Sequence, residues 1–248
     1  MSDAKVAIVT AAGGGIGEAC TRELANRGYS LFLMTRSDAG TRLARELDCE
    51  GIQGSVTEPG DLQRLVDLAL EKEGRIDAVL NNTGHAPGSS SPSGRRYDPL
   101  AKAHLLDITD DDWHASLDMY YLNVVRMARL VTPVMQKQKS GAIVNISAFG
   151  AREPSYAYPS SSAIRSALSA FTKLYADRYA KDGIRMNNVQ PGYLDNWEWS
   201  QDLVASIPAG RPGTVQEIAG VAAFLLSSES SYITGQSILA DGGLNRSV

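Results

Sequence analysis

The sequence predicts an α/β protein built on one doubly wound parallel sheet with helices on both faces. Three observations carry that prediction. Short apolar runs alternate with longer amphipathic segments along the 248 residues, as they do where parallel strands are joined by right-handed helical crossovers. The short runs are continuously apolar, which suits strands covered on both faces. A glycine cluster, TAAGGGIG at 10–17, directly follows the first run, the position at which such a sheet turns into its first helix.

The elements follow in chain order. VAIVT (6–10) reads as a buried strand and 17–28 as a helix closed by Gly28. SLFLMT (30–35) is a strand, 39–47 and 61–74 are helices, and IDAVLN (76–81) is a strand. A long helix is expected over 110–138 and a strand over 141–147. A helix beginning in YAYPSSSAIRSALSAFTK and running to about Gly183, a strand at 184–190, a helix at 214–228 and a last strand at 236–240 complete the pattern. One domain over 1–248 is expected, with substrate loops at 85–106 and 193–210. The first loop is rich in Gly, Ser and Pro, and a long loop in a compact domain is usually functional.

Composition bounds the partners. With 43% hydrophobic and 21% charged residues, the chain is long enough for one sizeable core. Its net charge is −4, which points to neither nucleic acid nor an anionic membrane surface. The chain opens without a basic region followed by a long apolar run, and no window approaches a membrane span, so a cytoplasmic protein is expected. Cys20 and Cys49 read as packing residues in a reducing compartment. His85, His104 and His114 have no metal-ligand spacing, so no metal is expected.

The glycine turn carries the first chemistry. Glycines there let the backbone approach a pyrophosphate, and the helix N-terminus offers N–H donors. The residue ending the second strand faces the adenosine ribose in such folds: an acid binds a 2′-hydroxyl and a base accepts a 2′-phosphate. Here Thr35 takes the acid's place and Arg36 follows. NADP(H) is therefore favoured over NAD(H), with Asp38 as a complicating charge.

The turn resembles the T-G-x-x-x-G-I-G of the short-chain dehydrogenase/reductase family, and four more blocks resemble it in order: NNTG (81–84), DDWHASLDMYYLN (111–123), GIRMNNVQPG (183–192) and the segment IPAGRPGTVQEIAGVAAFLLSSESSYITGQSILADGGL. The resemblance implies a single Rossmann-type domain that binds NAD(P)(H), acts on a small molecule and self-associates as a dimer or tetramer. Carried over, it places Thr10, Gly13, Gly15, Ile16 and Gly17 at the cofactor, with Ser55 and Val56 beside the adenine, Asn82 and Gly84 beside the adenosine, and Pro191, Gly192 and Asn196 around the nicotinamide. Ala11 departs from the motif's first glycine, a change tolerable at negative φ. Ser55 replaces an aspartate. Trp197 and Trp199 either wall an apolar pocket or pack an interface.

The family's catalysis uses Ser, Tyr and Lys, with Y-x-x-x-K spacing. Tyr158 plus four is Ser162. Counting back eighteen residues from Gly183 instead puts Arg165 in the lysine slot and Ser161 in the usual tyrosine slot. The seven-residue interval from Tyr158 to Arg165 resembles the Tyr–Lys interval of the enoyl-acyl-carrier-protein reductases, a divergent branch. Residues seven apart share a helical face. The catalytic set expected is Tyr158 as acid, Arg165 as ribose clamp, Ser147 bonding a substrate oxygen and Asn123 supporting a water chain or helix bend, with Tyr156 the rival acid. The expected reaction is hydride transfer between NADPH and a carbonyl or alcohol. Reduction of an activated C=C bond is the alternative, and a nicotinamide-binding sensor without turnover is another.

Overall fold

β1 (Val6–Thr10) has no residue more than 2% exposed, and its side chains alternate between two separate cores. Ala7 and Val9 enter one, with α1 (Gly15–Asn26), α2 (Ala39–Glu46) and α8 (Val215–Leu226). Val6 and Ile8 enter the other, with α3 (Pro59–Glu73), α5 (Asn123–Gln138) and α6 (Pro159–Tyr179). A strand with apolar residues at every position needs cover on both faces, and the helices supply it. These statements come from a computed structural model that describes residues 4–84 and 105–247.

Seven strands form one parallel sheet. Beside β1 they are β2 (Ser30–Thr35), β3 (Glu50–Gln53), β4 (Ala78–Asn81), β5 (Gly141–Ile146), β6 (Ile184–Pro191) and β7 (Ser237–Ala240), in the order β3-β2-β1-β4-β5-β6-β7. The winding reverses between β1 and β4, so the crevice at their carboxyl ends is the place where such sheets bind ligands. Just inside that end, four residues in register are hydrogen-bonded across the sheet. Asn81 Nδ2 donates to Asn145 Oδ1, Asn145 Nδ2 to Asn188 Oδ1, and Asn188 Nδ2 to Ser237 Oγ, each at 2.9 Å. Buried amides satisfied in this way fix the lateral alignment of four strands directly under the crevice.

Several elements differ from expectation. β3 is a seventh strand that the apolar pattern does not show. The helix expected over 110–138 is three pieces: α4 (Asp110–Leu117), a π-helical segment Asp118–Leu122, and α5. Asn123 sits at that junction and its Nδ2 donates to the Met119 carbonyl at 2.7 Å. α6 begins at Pro159, so Tyr156 and Tyr158 precede it; proline at a helix's first position suits its fixed φ. The span 193–210 contains a short helix, α7 (Gln201–Ser206). Of the other expected loop, 85–104 lies outside the described residues, and Leu105–Asp107 is a turn of 3₁₀-helix. Among the described residues, no helix is long and apolar enough to cross a membrane.

Candidate functional site

The glycine turn is held by side chains on both of its flanking strands. The Thr10 hydroxyl accepts from Asn82 N at 3.0 Å and lies 3.1 Å from the Asn82 carbonyl, to which it donates. Asn82 Nδ2 donates to the Ala11 carbonyl at 3.2 Å. Ala11 adopts φ 48°, so the negative φ at which a methyl would be tolerated is not met: the methyl sits in the left-handed region, which costs an L-residue roughly 1–2 kcal/mol. Close packing explains Gly17, where a Cβ would lie 2.1 Å from the Ala11 carbonyl oxygen. Above Gly14 there is open space, and α1 starts there with no side-chain cap. Its first N–H groups are therefore left for a ligand.

Two clefts meet at this turn and share Ala11, Gly14, Thr83 and Gly84 in their walls. The first, about 450 Å³, is lined by Gly13, Thr35, Arg36, Ser55 and Val56. The Thr35 hydroxyl is spent locally, donating to the Ser37 carbonyl and accepting from Gly40 N. Arg36 is exposed at the rim, while Asp38 pairs with Arg42 at 3.7 Å. The Ser55 and Thr57 hydroxyls lie 2.8 Å apart.

The second cleft, about 440 Å³, brings together Gly15, Ile16, Ser147, Tyr158, Arg165 and Gly192. Ser147, one residue past β5, has a buried Oγ with no hydrogen-bond partner among the described residues. Tyr158 is the residue before α6, at φ −136° and ψ 58°. The expectation that it shares a helical face with Arg165 is corrected: it reaches the same cleft from the chain entering the helix. Arg165 is 5% exposed. Its Nη1 donates to the Ile146 carbonyl at 2.8 Å, Nη2 to the Thr83 carbonyl at 3.2 Å and Nε to Ser161 Oγ at 3.3 Å. Among the described residues it has no carboxylate partner. Burial alone pushes its guanidinium down to about 10, which still leaves a cation at neutral pH. Those three bonds leave one N–H on each terminal nitrogen.

The other predicted residues lie at varied positions relative to this pair. Asn123 is buried outside both cleft walls, and its Oδ1 is without a partner among the described residues. The side chains of Thr10 and Asn82 act on the turn, although Asn82 also lines the second cleft with Pro191. Asn196 belongs to a segment that reaches over the turn, with its Nδ2 3.2 Å from where a Gly15 Cβ would stand. The rival Tyr156 lies outside the wall, and its hydroxyl accepts from Leu105 N at 3.1 Å. Tyr120, Phe149 and Tyr193 line the cleft too and were missed by sequence reasoning. For Tyr193, its place directly after the Pro191–Gly192 turn was a usable signal.

A parallel sheet with this winding, a glycine turn at its switch point and a serine, a tyrosine and a buried cation in one adjoining cleft define a Rossmann-fold oxidoreductase. The chain belongs to the short-chain dehydrogenase/reductase superfamily: the family model described as enoyl-(acyl carrier protein) reductase matches residues 10–245. It is 30% identical to dehydrogenase/reductase SDR family member 4 of Caenorhabditis elegans, over 98% of this chain and 95% of that one. It is also 30% identical to the 3-oxoacyl-[acyl-carrier-protein] reductase FabG of Thermotoga maritima, over 98% of each. In structure it is similar to YwfH, an NADPH-dependent reductase involved in bacilysin biosynthesis, at TM-score 0.85 and 24% identity, covering 99% of this chain and 100% of that one.

Proposed function

We propose that the protein reduces a carbonyl group, or oxidises the corresponding alcohol, using NADP(H), with Tyr158 as the acid and base. The observation that carries this reading is that Tyr158 shares the second cleft with Ser147 and Arg165 beside the glycine turn, whereas Tyr156 is bonded elsewhere. The open face over Gly14, the uncapped start of α1 and the orphaned Ser147 hydroxyl fit a dinucleotide lying across both clefts. A reduced nicotinamide bound there supplies the hydride.

The chain's own residues do the rest. Ser147 Oγ–H donates to the carbonyl oxygen, which orients it and stabilises the charge it gains. As the C=O π pair moves onto that oxygen, the Tyr158 proton completes the alcohol. Arg165 holds its charge beneath the site, and its two remaining N–H groups suit ribose hydroxyls. Asn123 positions rather than reacts: it closes the π-helical segment that carries Tyr120. Support for NADPH comes from Arg36 in the first cleft, from the locally spent Thr35 hydroxyl and from the NADPH dependence named for YwfH. The test is NADPH consumption over a ketone panel, with the alcohol identified as product. Cofactor binding without turnover of any ketone, alcohol or enone contradicts the reading and favours a sensor.

Reduction of an activated C=C bond is the second reading. It is favoured by the seven-residue Tyr158–Arg165 interval and by the description of the matching family model. An enone separates the two: the allylic alcohol supports carbonyl reduction and the saturated ketone supports the alternative.

A further inference from the structure

Aromatic rings form part of the wall of the second cleft. Phe149 and Tyr193 have ring centroids 5.2 Å apart at an interplanar angle of 55°, and Tyr193 and Trp199 lie 4.6 Å apart at 63°. Phe149 stands two residues after Ser147, and Tyr193 directly follows Gly192. The wall therefore begins where the reacting carbonyl is placed. It is also braced. Gly213 N donates to the Tyr193 carbonyl at 2.9 Å, and Asp195 N donates to the Gly213 carbonyl at 2.8 Å. The Trp199 indole N–H is consumed by the Leu194 carbonyl at 2.7 Å. That ring offers a ligand its carbon faces and edges and no donor. Trp197, 42% exposed, extends the apolar surface at the mouth.

Charge is the second constraint. Arg165 is the one charged side chain lining this cleft among the described residues, and three of its N–H groups already bond protein oxygens. Asp195 and Glu198, on the segment that carries Tyr193 and Trp199, do not line the cleft, and no lysine, histidine or carboxylate does among the described residues. Burying an unpaired charge there would be costly. Rings packed edge-to-face reward a flat partner beyond the area it buries, and a saturated partner of equal size gains only the area.

We infer that the substrate is an uncharged, planar aromatic ketone, or its alcohol, whose ring stacks within the Phe149–Tyr193–Trp199 wall while its carbonyl meets Ser147 and Tyr158. This inference rests on the carbonyl reading for the placement of the reacting oxygen. It makes Tyr193 and Trp199 specificity residues.

The test is a calorimetric titration of the protein–NADP⁺ complex, and of the protein alone, with two ketones on one bicyclic skeleton: aromatic 1-tetralone and saturated 1-decalone. Decalone is the more hydrophobic, so simple apolar burial favours it. The inference predicts that tetralone binds about fivefold more tightly. Trp199→Leu and, separately, Tyr193→Leu should remove that preference while the Kd for NADPH stays within about twofold of wild type. Equal binding, tighter decalone binding, or a tetralone preference that survives both substitutions overturns it. Because binding is read without turnover, the two readings fail separately. Selective tetralone binding with no reaction contradicts the carbonyl reading alone, and ketone turnover without ring preference contradicts this inference alone.

Discussion

The guanidinium carbon of Arg165 lies 4.3 Å from the centroid of the Tyr120 ring. Tyr120 is 2% exposed and belongs to the π-helical segment, so the irregularity in that helix brings a ring face to a buried cation that has no acid partner among the described residues. A desolvated cation–π contact is worth about 2 kcal/mol, and three hydrogen bonds add to it. Even so, a buried charge can often be replaced by an apolar side chain at little cost in stability. Arg165→Met is therefore expected to shift the free energy of unfolding by less than about 2 kcal/mol and to lower kcat at least about 100-fold. Arg165→Lys, which keeps a charge, should stay within about tenfold of wild type. Denaturant unfolding alongside steady-state kinetics checks both; full turnover in the methionine variant contradicts the role given to the charge.

Arg36 stands exposed at the rim of the first cleft, with no carboxylate bonded to it among the described residues. A charge-assisted bond to a phosphate contributes about 1.5–3 kcal/mol. Arg36→Ala should raise the Kd for NADPH about 10- to 100-fold and leave the Kd for NADH nearly unchanged. Titration of both cofactors at one salt concentration decides it; equal losses for the two show that Arg36 reads no phosphate.

Ala11 holds φ 48° at the glycine turn. Glycine removes the left-handed penalty but adds unfolded-chain entropy. Ala11→Gly is expected to stabilise the fold by up to about 1 kcal/mol, a rise in Tm of about 2–4 °C for a chain of this length. A fall in Tm contradicts the assignment of strain.

Glu217 closes a capping box with Thr214 at the start of α8 and also pairs with Arg211 at 2.7 Å. The Arg211 hydrogen bonds, with the bond from Thr214 N next, bring its carboxyl down from 4.5 to about 2. A carboxylate lowered on folding adds stability above its unfolded value, and that stability is lost as pH falls through its folded value. The contribution is complete above about pH 4.5 and drains away toward pH 2. Glu217 is exposed to solvent, so the effect is small. Glu217→Gln should flatten this stretch of the acid unfolding curve, and an unchanged slope between those values contradicts it.

Much of the sheet was legible because strands such as Val6–Thr10 are apolar at every position. Glu50–Gln53 was not, since an edge strand reading EGIQ with half-exposed residues has no apolar run to detect. The π-helical form of the break was not legible because Asp118–Leu122 contains neither glycine nor proline; the sequence offered only Asn123 as a support for a water chain or helix bend, and its Nδ2 bonds the Met119 carbonyl at that junction. The start of α6 could have been read from Pro159, which marks a first helical position and leaves Tyr158 outside. In the site, Ser147, Tyr158 and Arg165, which the family resemblance named, line one cleft. Tyr120 was not named, because the π-helical turn shifts the helical faces on which a sequence argument depends.

The most direct measurement compares Tyr158→Phe with Tyr156→Phe in single-turnover reduction of a ketone by NADPH, with NADPH affinity read in parallel. The account predicts that Tyr158→Phe slows the reaction at least about 100-fold at unchanged NADPH affinity. Tyr156→Phe, which among the described residues loses its bond from Leu105 N, should stay within about twofold of wild type. Full turnover in Tyr158→Phe, or a loss confined to Tyr156→Phe, would contradict the placement of the acid at Tyr158.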